Sequence, residues 1–261
     1  MFERRALTDA LSAVRDEYAS SALVVDAAND FETLPPSVAE NLLAVVDDVE
    51  PLAYDETTVP PDAPDILHRL ADSEFTVGAP GDGGVTWTRQ TSPPTVIVKP
   101  RLEGSPEPFI DFLIAEALVE LHLDSAEQFL GFFGDAYEDL DDAVPLSPVD
   151  TYQLAAALHT AHIGHRSRPV FDGWADQFPD VHTAWVDAGE RLEPRLADLS
   201  ADVATGRTDF ADAAELACNA LKHDIAVPKP FDALDTEAYT DHGAPFAVRW
   251  AEQTFAELGT D

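Results

Sequence analysis

Cysteine is almost absent from the chain. Cys218 is the only one in 261 residues, so no intrachain disulfide and no cysteine-built zinc site can form. Lysine is nearly as scarce, with Lys99, Lys222 and Lys229 alone among 15 basic residues. Long apolar runs are missing too. The longest, Phe109 to Leu123, is broken by Asp111, Glu116, Glu120 and His122 and cannot span a bilayer. Arg4 and Arg5 are followed by no apolar stretch, because Asp9, Arg15, Asp16 and Glu17 interrupt it. The segment is therefore not a secretion signal, and a cytoplasmic location without membrane insertion is expected. No Gly-x-Ser-x-Gly elbow, His-Glu-x-x-His, Cys-x-x-Cys or Gly-x-Gly-x-x-Gly occurs, which removes the enzyme classes those motifs mark.

What is abundant is acid. Fifty Asp and Glu residues against 15 Lys and Arg give a formal net charge of −35. The acids are interspersed along the whole chain, and 45% hydrophobic residues leave enough to bury a core, so the charge does not signal disorder. An acid-covered, lysine-poor surface stays hydrated in molar salt, where the Debye length falls to about 3 Å and self-repulsion is screened. At low salt the same charges repel one another and loosen the fold. At this level the chain looks like a protein of a salt-accumulating halophilic archaeon. The charge also argues against a nucleic-acid partner, since phosphate binding is driven by Lys and Arg.

Apolar spacing predicts a mainly helical α+β fold, bundle-like, with one β-hairpin around residues 85–99. A first helix is expected over residues 2–18, with Leu7, Leu11, Val14 and Tyr18 on one stripe. Residues 22–25 read as helix or strand. Pro35 and Pro36 open a second helix whose Val38, Leu42, Val45 and Val49 share a face, ending at Pro51. A short helix follows through Ile66, Leu67 and Leu70. Residues 85–90 alternate apolar and polar, residues 95–99 are β-branched, and Thr91 to Pro94 form the turn between them. The loop from Gly78 to Gly84 lacks the Lys-Ser/Thr pair of a phosphate loop and precedes a strand, so it reads as a turn.

Beyond it the chain is helical. Ser105-Pro106 opens a helix through Ile110, Ile114 and Leu118, a capping box is expected at Asp124 to Glu127, and Ser147-Pro148 opens the histidine-bearing helix. Later stripes run through Trp185, Leu192, Leu196 and Leu199, through Phe210, Ala213, Ala217 and Leu221, and through Ala247, Ala251, Phe255 and Leu258. No internal repeat is visible. Residues 1–261 are expected to form a single domain, with a possible subdivision into 1–100 and 105–261, because the first hundred residues are poor in core.

The stretches Trp87-Thr-Arg-Gln-Thr91, Val98-Lys-Pro-Arg101 and Ala220-Leu-Lys-His-Asp224 through Val227-Pro-Lys-Pro-Phe231 give the chain a resemblance to uncharacterised haloarchaeal proteins grouped under a domain of unknown function. The resemblance covers nearly the full length and implies no activity, ligand or catalytic residue.

Two constellations carry possible chemistry. His159, His162 and His165 are spaced by three, and a divalent metal, zinc or manganese, could bridge neighbours. On a helix His159 and His165 lie roughly 9 Å apart along the axis, so further ligands such as His223 and Asp224 would be needed. The His223-Asp224 pair also has the form used by metal phosphohydrolases. Against this, Arg166 and Arg168 follow directly and suit a last helical turn, where basic residues offset the helix dipole. The second constellation is Arg89, Lys99 and Arg101 on the hairpin, able to meet an anionic small molecule or protein partner, or equally to form internal ion pairs. A Glu116/Glu120 pair reads as a solvent-facing stripe.

Two function classes follow: a non-catalytic cytoplasmic binding or regulatory protein contacting its partner through the basic hairpin, slightly favoured, and a metal-dependent hydrolase centred on the histidine-rich helix. The charge makes its own prediction. Circular dichroism should report loss of helix and a lower Tm at low ionic strength, both restored in molar KCl; unchanged helix content and Tm across the titration would refute it.

Overall fold

A computed structural model describes residues 1–54, 58–72 and 75–259. The chain forms two compact units. Unit 1 comprises Met1–Ala53, Arg69–Glu127 and Gly173–Ala184, and unit 2 comprises Tyr54–His68, Gln128–Asp172 and Trp185–Asp261.

Unit 1 is built on a mixed four-stranded sheet. In chain order its elements are β1 (Phe2–Arg4), α1 (Asp9–Tyr18), β2 (Leu23–Ala27), α2 (Pro36–Ala39), β3 (Asp48–Val49), β4 (Val85–Thr88), β5 (Thr91–Ser92), β6 (Thr95–Val98) and α4 (Glu107–His122), while α3 (Asp65–Ala71) lies across the boundary in sequence. The sheet order is β1-β2-β6-β4. β1 runs antiparallel to β2, β2 parallel to β6, and β6 antiparallel to β4. The hairpin expected from the sequence is β4 and β6, with Trp87 opposite Val96 and Val85 opposite Val98. The small pair β3-β5 lies beside it.

Every residue of β6 is buried, and its Thr-Val-Ile-Val run is what a strand covered on both faces requires. Period-two alternation then sorts the neighbours. One face carries Phe2, Val25, Ala27 and Ile97, which join Leu34, Ala39, Leu42, Val46, Phe75 and Val77 in one apolar cluster. The other face carries Val24, Val96, Val98 and Trp87, and here α4 packs on β4 and β6 and also meets α1. The Trp87 indole N–H donates to Glu120 Oε2 at 2.6 Å, so Glu120 serves the packing of a core tryptophan instead of lying on a solvent stripe.

The N-terminal half departs from its sequence pattern in three places. Phe2–Arg4 is a strand, and the helix starts only after Thr8, whose hydroxyl accepts from Leu11 N–H at 3.3 Å. Residues 36–51 do not form one helix: α2 gives way to a 3₁₀ turn over Glu40–Ala44 and then to β3. Their apolar spacing is satisfied by packing each piece separately onto the sheet. The Asp124–Glu127 segment is no capping box, because Asp124 has φ 50° and the next helix starts at Phe129.

Unit 2 is helical. Its elements are α5 (Phe129–Phe133), α6 (Ala136–Ala143), α7 (Pro148–Asp172), α9 (Glu193–Leu196), α10 (Leu199–Ala204), α11 (Phe210–Leu221), α12 (Glu237–His242) and α13 (Ala244–Leu258), and α8 (Pro179–Glu190) is shared in sequence with unit 1. Ser147 starts α7 as expected: its hydroxyl accepts from Asp150 N–H and donates to the Asp150 carboxylate at 2.7 Å. The dominant packing is α7 against α11. Ala155, Ala157 and Ala161 on one helix and Ala213, Ala214, Ala217 and Ala220 on the other are all buried. Small side chains let the two backbones approach closely.

Gly164 is the tightest point of that approach. A Cβ placed there would lie 2.5 Å from Lys222 Cγ and 2.9 Å from its Cα. Helix propensity alone makes Gly→Ala in a helix interior stabilising by about 1 kcal/mol. Packing reverses the sign here, and Gly164→Ala should destabilise by about 1–3 kcal/mol as overpacking does. Denaturant unfolding decides between the two signs.

Candidate functional site

The hairpin register separates the basic residues that the sequence grouped. Thr88 opposite Thr95 and Val85 opposite Val98 place Arg89 past one end of the hairpin and Lys99 past the other, roughly 16 Å apart at about 3.3 Å per residue. Arg89 turns to the C-terminal end of α4. Its guanidinium donates to the carbonyls of Leu121 at 2.6 Å, of Glu120 at 3.2 Å and of Ser125, and stacks 4.9 Å from the Trp87 ring centroid. The Glu120 and Leu121 carbonyls are ones that a helix end leaves without intrahelical donors. Beside it, the half-buried Glu127 carboxylate takes the Arg89 backbone N–H at 2.8 Å and the Gln90 side-chain amide at 2.7 Å. Burial pushes its pKa up to about 6 against those bonds.

Lys99 and Arg101 do come together, at the other end. Arg101 donates to Asp30 at 2.8 Å and to the Phe31 carbonyl at 2.9 Å, and pairs with Glu32 at 2.8 Å. Those acids raise its pKa further. Lys99 is 1% exposed and its Nζ has no hydrogen-bond partner. It sits 4.8 Å from the Phe31 ring centroid. Asp82 is the acid acting most strongly on it, and the Asp82 carboxylate already accepts from Ala79 N–H at 2.8 Å and from the Thr86 hydroxyl at 3.2 Å. Burial lowers the Lys99 pKa and raises that of Asp82, while their mutual attraction opposes both shifts. Arg101 lowers Lys99 further. Desolvation is the larger effect, so both groups move toward their neutral forms.

The Gly78–Gly84 loop closes over this cluster. Gly78 has φ +78°, and a Cβ there would lie 2.7 Å from the Glu32 carbonyl oxygen, so only glycine lets the loop bring Asp82 in. Sequence reasoning named Lys99 and Arg101 and missed Asp30, Phe31, Glu32 and Asp82. The signal available was the aspartate inside the glycine-rich loop.

In unit 2 the three histidines line an aromatic interior. Phe132 lies between His159 at 5.3 Å and His162 at 4.8 Å, and Tyr239 is 5.6 Å from His162 and 6.0 Å from His165. His165 Nε2 is 2.6 Å from the Leu234 carbonyl and so carries the proton, with Nδ1 3.8 Å from Asp235. Asp224 and Asp235 are both held by Arg168, at 3.2 and 2.9 Å. His223 turns elsewhere, its Nδ1 2.9 Å from the Trp185 carbonyl and its ring 6.0 Å from that indole. Among the described residues no group of three or more His, Cys, Asp or Glu is placed to hold a metal ion. Nor do Arg166 and Arg168 end their helix: α7 continues to Asp172 through Pro169, so Arg168 neutralises acids instead of capping carbonyls. Cys218 is fully buried, and burial raises its thiol pKa.

The chain belongs to a family of unknown function, DUF7089. The match covers residues 1–258, so both units lie within the family's span. No curated protein and no solved structure matches the chain. Among the described residues, no helix is long and apolar enough to cross a membrane.

The histidine cluster has a consequence for acid stability. Burial, then the Arg166 charge and His165, push the His162 pKa down to about 4 from 6.5. Between those values the unfolded chain binds a proton that the folded chain refuses, so this histidine's contribution falls as pH drops from 6.5 toward 4. Discounted for partial exposure, the loss is about 1–2 kcal/mol. His162→Phe, which keeps a ring between Phe132 and Tyr239, should lose less stability than wild type between pH 6.5 and 4 in urea titrations. Parallel pH profiles would refute the assignment.

Proposed function

We propose that the chain is a non-catalytic binding or regulatory protein of a salt-rich cytoplasm, and that its ligand is a small molecule presenting a carboxylate or carbonyl oxygen to Lys99. The observation carrying this reading is the buried Nζ without an acceptor. A buried polar group left without a partner costs about 1–3 kcal/mol, and native folds leave few of them. Arg101 already engages Asp30 and Glu32, and Asp82 is shifted toward its acid form. Lys99 thus keeps donors that its protein neighbours do not use, and an incoming acceptor would satisfy them. The −35 charge favours the salt-rich setting by the screening described above.

Stability separates this role from a purely structural one. If Lys99 is kept for a ligand, Lys99→Met should raise stability in molar KCl by about 1–3 kcal/mol, because an apolar chain of similar length replaces an unsatisfied amine. A structural ion pair would make the same change destabilising. Scanning fluorimetry with pyruvate, 2-oxoglutarate and citrate provides the binding arm: at least one should raise the Tm of wild type and leave Lys99→Met unmoved. Destabilisation of Lys99→Met, or no Tm shift with any of the three, would sink the reading.

A further inference from the structure

A lysine that has lost its water and found no hydrogen-bond acceptor is a nucleophile as well as a donor. Resting on the reading that Lys99 receives the ligand, we infer that it does so covalently, forming a reversible imine with the carbonyl carbon of a small aldehyde or 2-oxo acid, with Asp82 as the proton carrier. Three features of the geometry support this. The Lys99 side chain is 1% exposed, and its Nζ lies against the face of Phe31 with no hydrogen-bond partner. Burial is the main cause that weakens its hold on a proton; Arg101 acts the same way, while Asp82, Glu32 and Asp30 oppose it. Asp82, held by Ala79 N–H and Thr86, is the acid acting most strongly on the same amine. Asp82 itself is only partly buried, on a loop whose Gly81 and Gly83 are exposed. The pKa shifts of Lys99 and Asp82 point the same way, toward free amine and protonated acid.

The chemistry balances without a cofactor. The Nζ lone pair attacks the carbonyl carbon, the N–C bond forms, and the carbonyl oxygen takes up the proton that the nitrogen loses, giving a carbinolamine. Asp82 then protonates the hydroxyl, the C–O bond breaks, and one water leaves. The nitrogen gives its remaining proton back to Asp82. Amine plus carbonyl has become imine plus water, with nothing oxidised or reduced.

The chain's shortage of lysine supplies internal controls. The intact protein in molar KCl at pH 7 is incubated with glyoxylate and sodium cyanoborohydride, which reduces any imine to a stable carboxymethyl amine. The chain is then cleaved at acidic residues, and Lys99, Lys222 and Lys229 are compared by mass spectrometry. Exposure alone would favour Lys229, which is on the surface. Burial lowers the Lys99 pKa and so raises its neutral fraction near pH 7, and Lys99 should be modified more than Lys229. Asp82→Asn should slow modification of Lys99 several-fold and leave Lys229 unchanged. Modification of Lys99 no greater than that of Lys229 overturns the imine, and an Asp82→Asn rate equal to wild type overturns the proton carrier. Failure of the imine is distinct from failure of the binding site: a Tm shift by pyruvate, 2-oxoglutarate or citrate that depends on Lys99, with no trapped adduct, leaves non-covalent binding standing.

Discussion

Strand β6 has no solvent-facing side: Thr95, Val96, Ile97 and Val98 are all at or below 4% exposure, and unit 1 is organised by the need to cover both faces. β2 on one side and β4 on the other complete its hydrogen bonding. α4 covers Val96 and Val98, while the segments around Leu34, Leu42 and Val77 cover Ile97. A strand so enclosed delivers the next residue along the chain to the interior as well. Lys99 is that residue, and its N–H still pairs with the Gly84 carbonyl at 2.7 Å. Its burial follows from the same sheet geometry, with Phe31 and Asp82 brought to it by the loops on either side.

The allocation of positive charge fits this frame. A chain with −35 net charge has few cations to spare, and both arginines of the hairpin are taken up by acceptors of the same chain. Arg89 closes the carbonyl end of α4, and Arg101 gathers Asp30 and Glu32. In unit 2 Arg168 does the same for Asp224 and Asp235. Partly exposed pairs of this kind stabilise modestly and weaken with salt. In molar salt their value is geometric, since a planar guanidinium fixes the direction of two acids at once. Lys99 is the cation of this hairpin without such a pairing.

The sequence was most legible where structure is local. The β4–β6 hairpin, the Ser147 start of α7 and the inward placement of Trp87, Val96 and Val98 follow from alternation and capping, which act within a few residues. Strand β1 was unreadable because Phe2–Arg4 is too short to alternate and owes its conformation to β2, more than 20 residues away. Residues 36–51 misled for the opposite reason, since their helix-like spacing also suits a short helix followed by a strand. Lys99 was legible as a rare cation, but its setting was not: Phe31 and Asp82 reach it from distant loops, and the glycines around Asp82 were the local sign of it.

Burial acts on the two units' titratable clusters by one rule, with different results. In unit 2 the histidines meet aromatic rings, and for His162 and His165 desolvation favours the neutral ring. Three closely spaced imidazoles thereby become packing groups, and the same spacing that suggests metal ligands also lets Phe132 and Tyr239 slot between them. In unit 1 the same desolvation falls on an aliphatic amine above Phe31, with no acceptor to absorb its hydrogens and an acid shifted toward its neutral form nearby. An imidazole can shed its proton near neutral pH and remain as a ring in the core, as His162 and His165 do. Lys99 instead keeps its hydrogens without an acceptor in the protein, and that contrast is why the proposed ligand contact is set at the hairpin rather than on the histidine-rich helix.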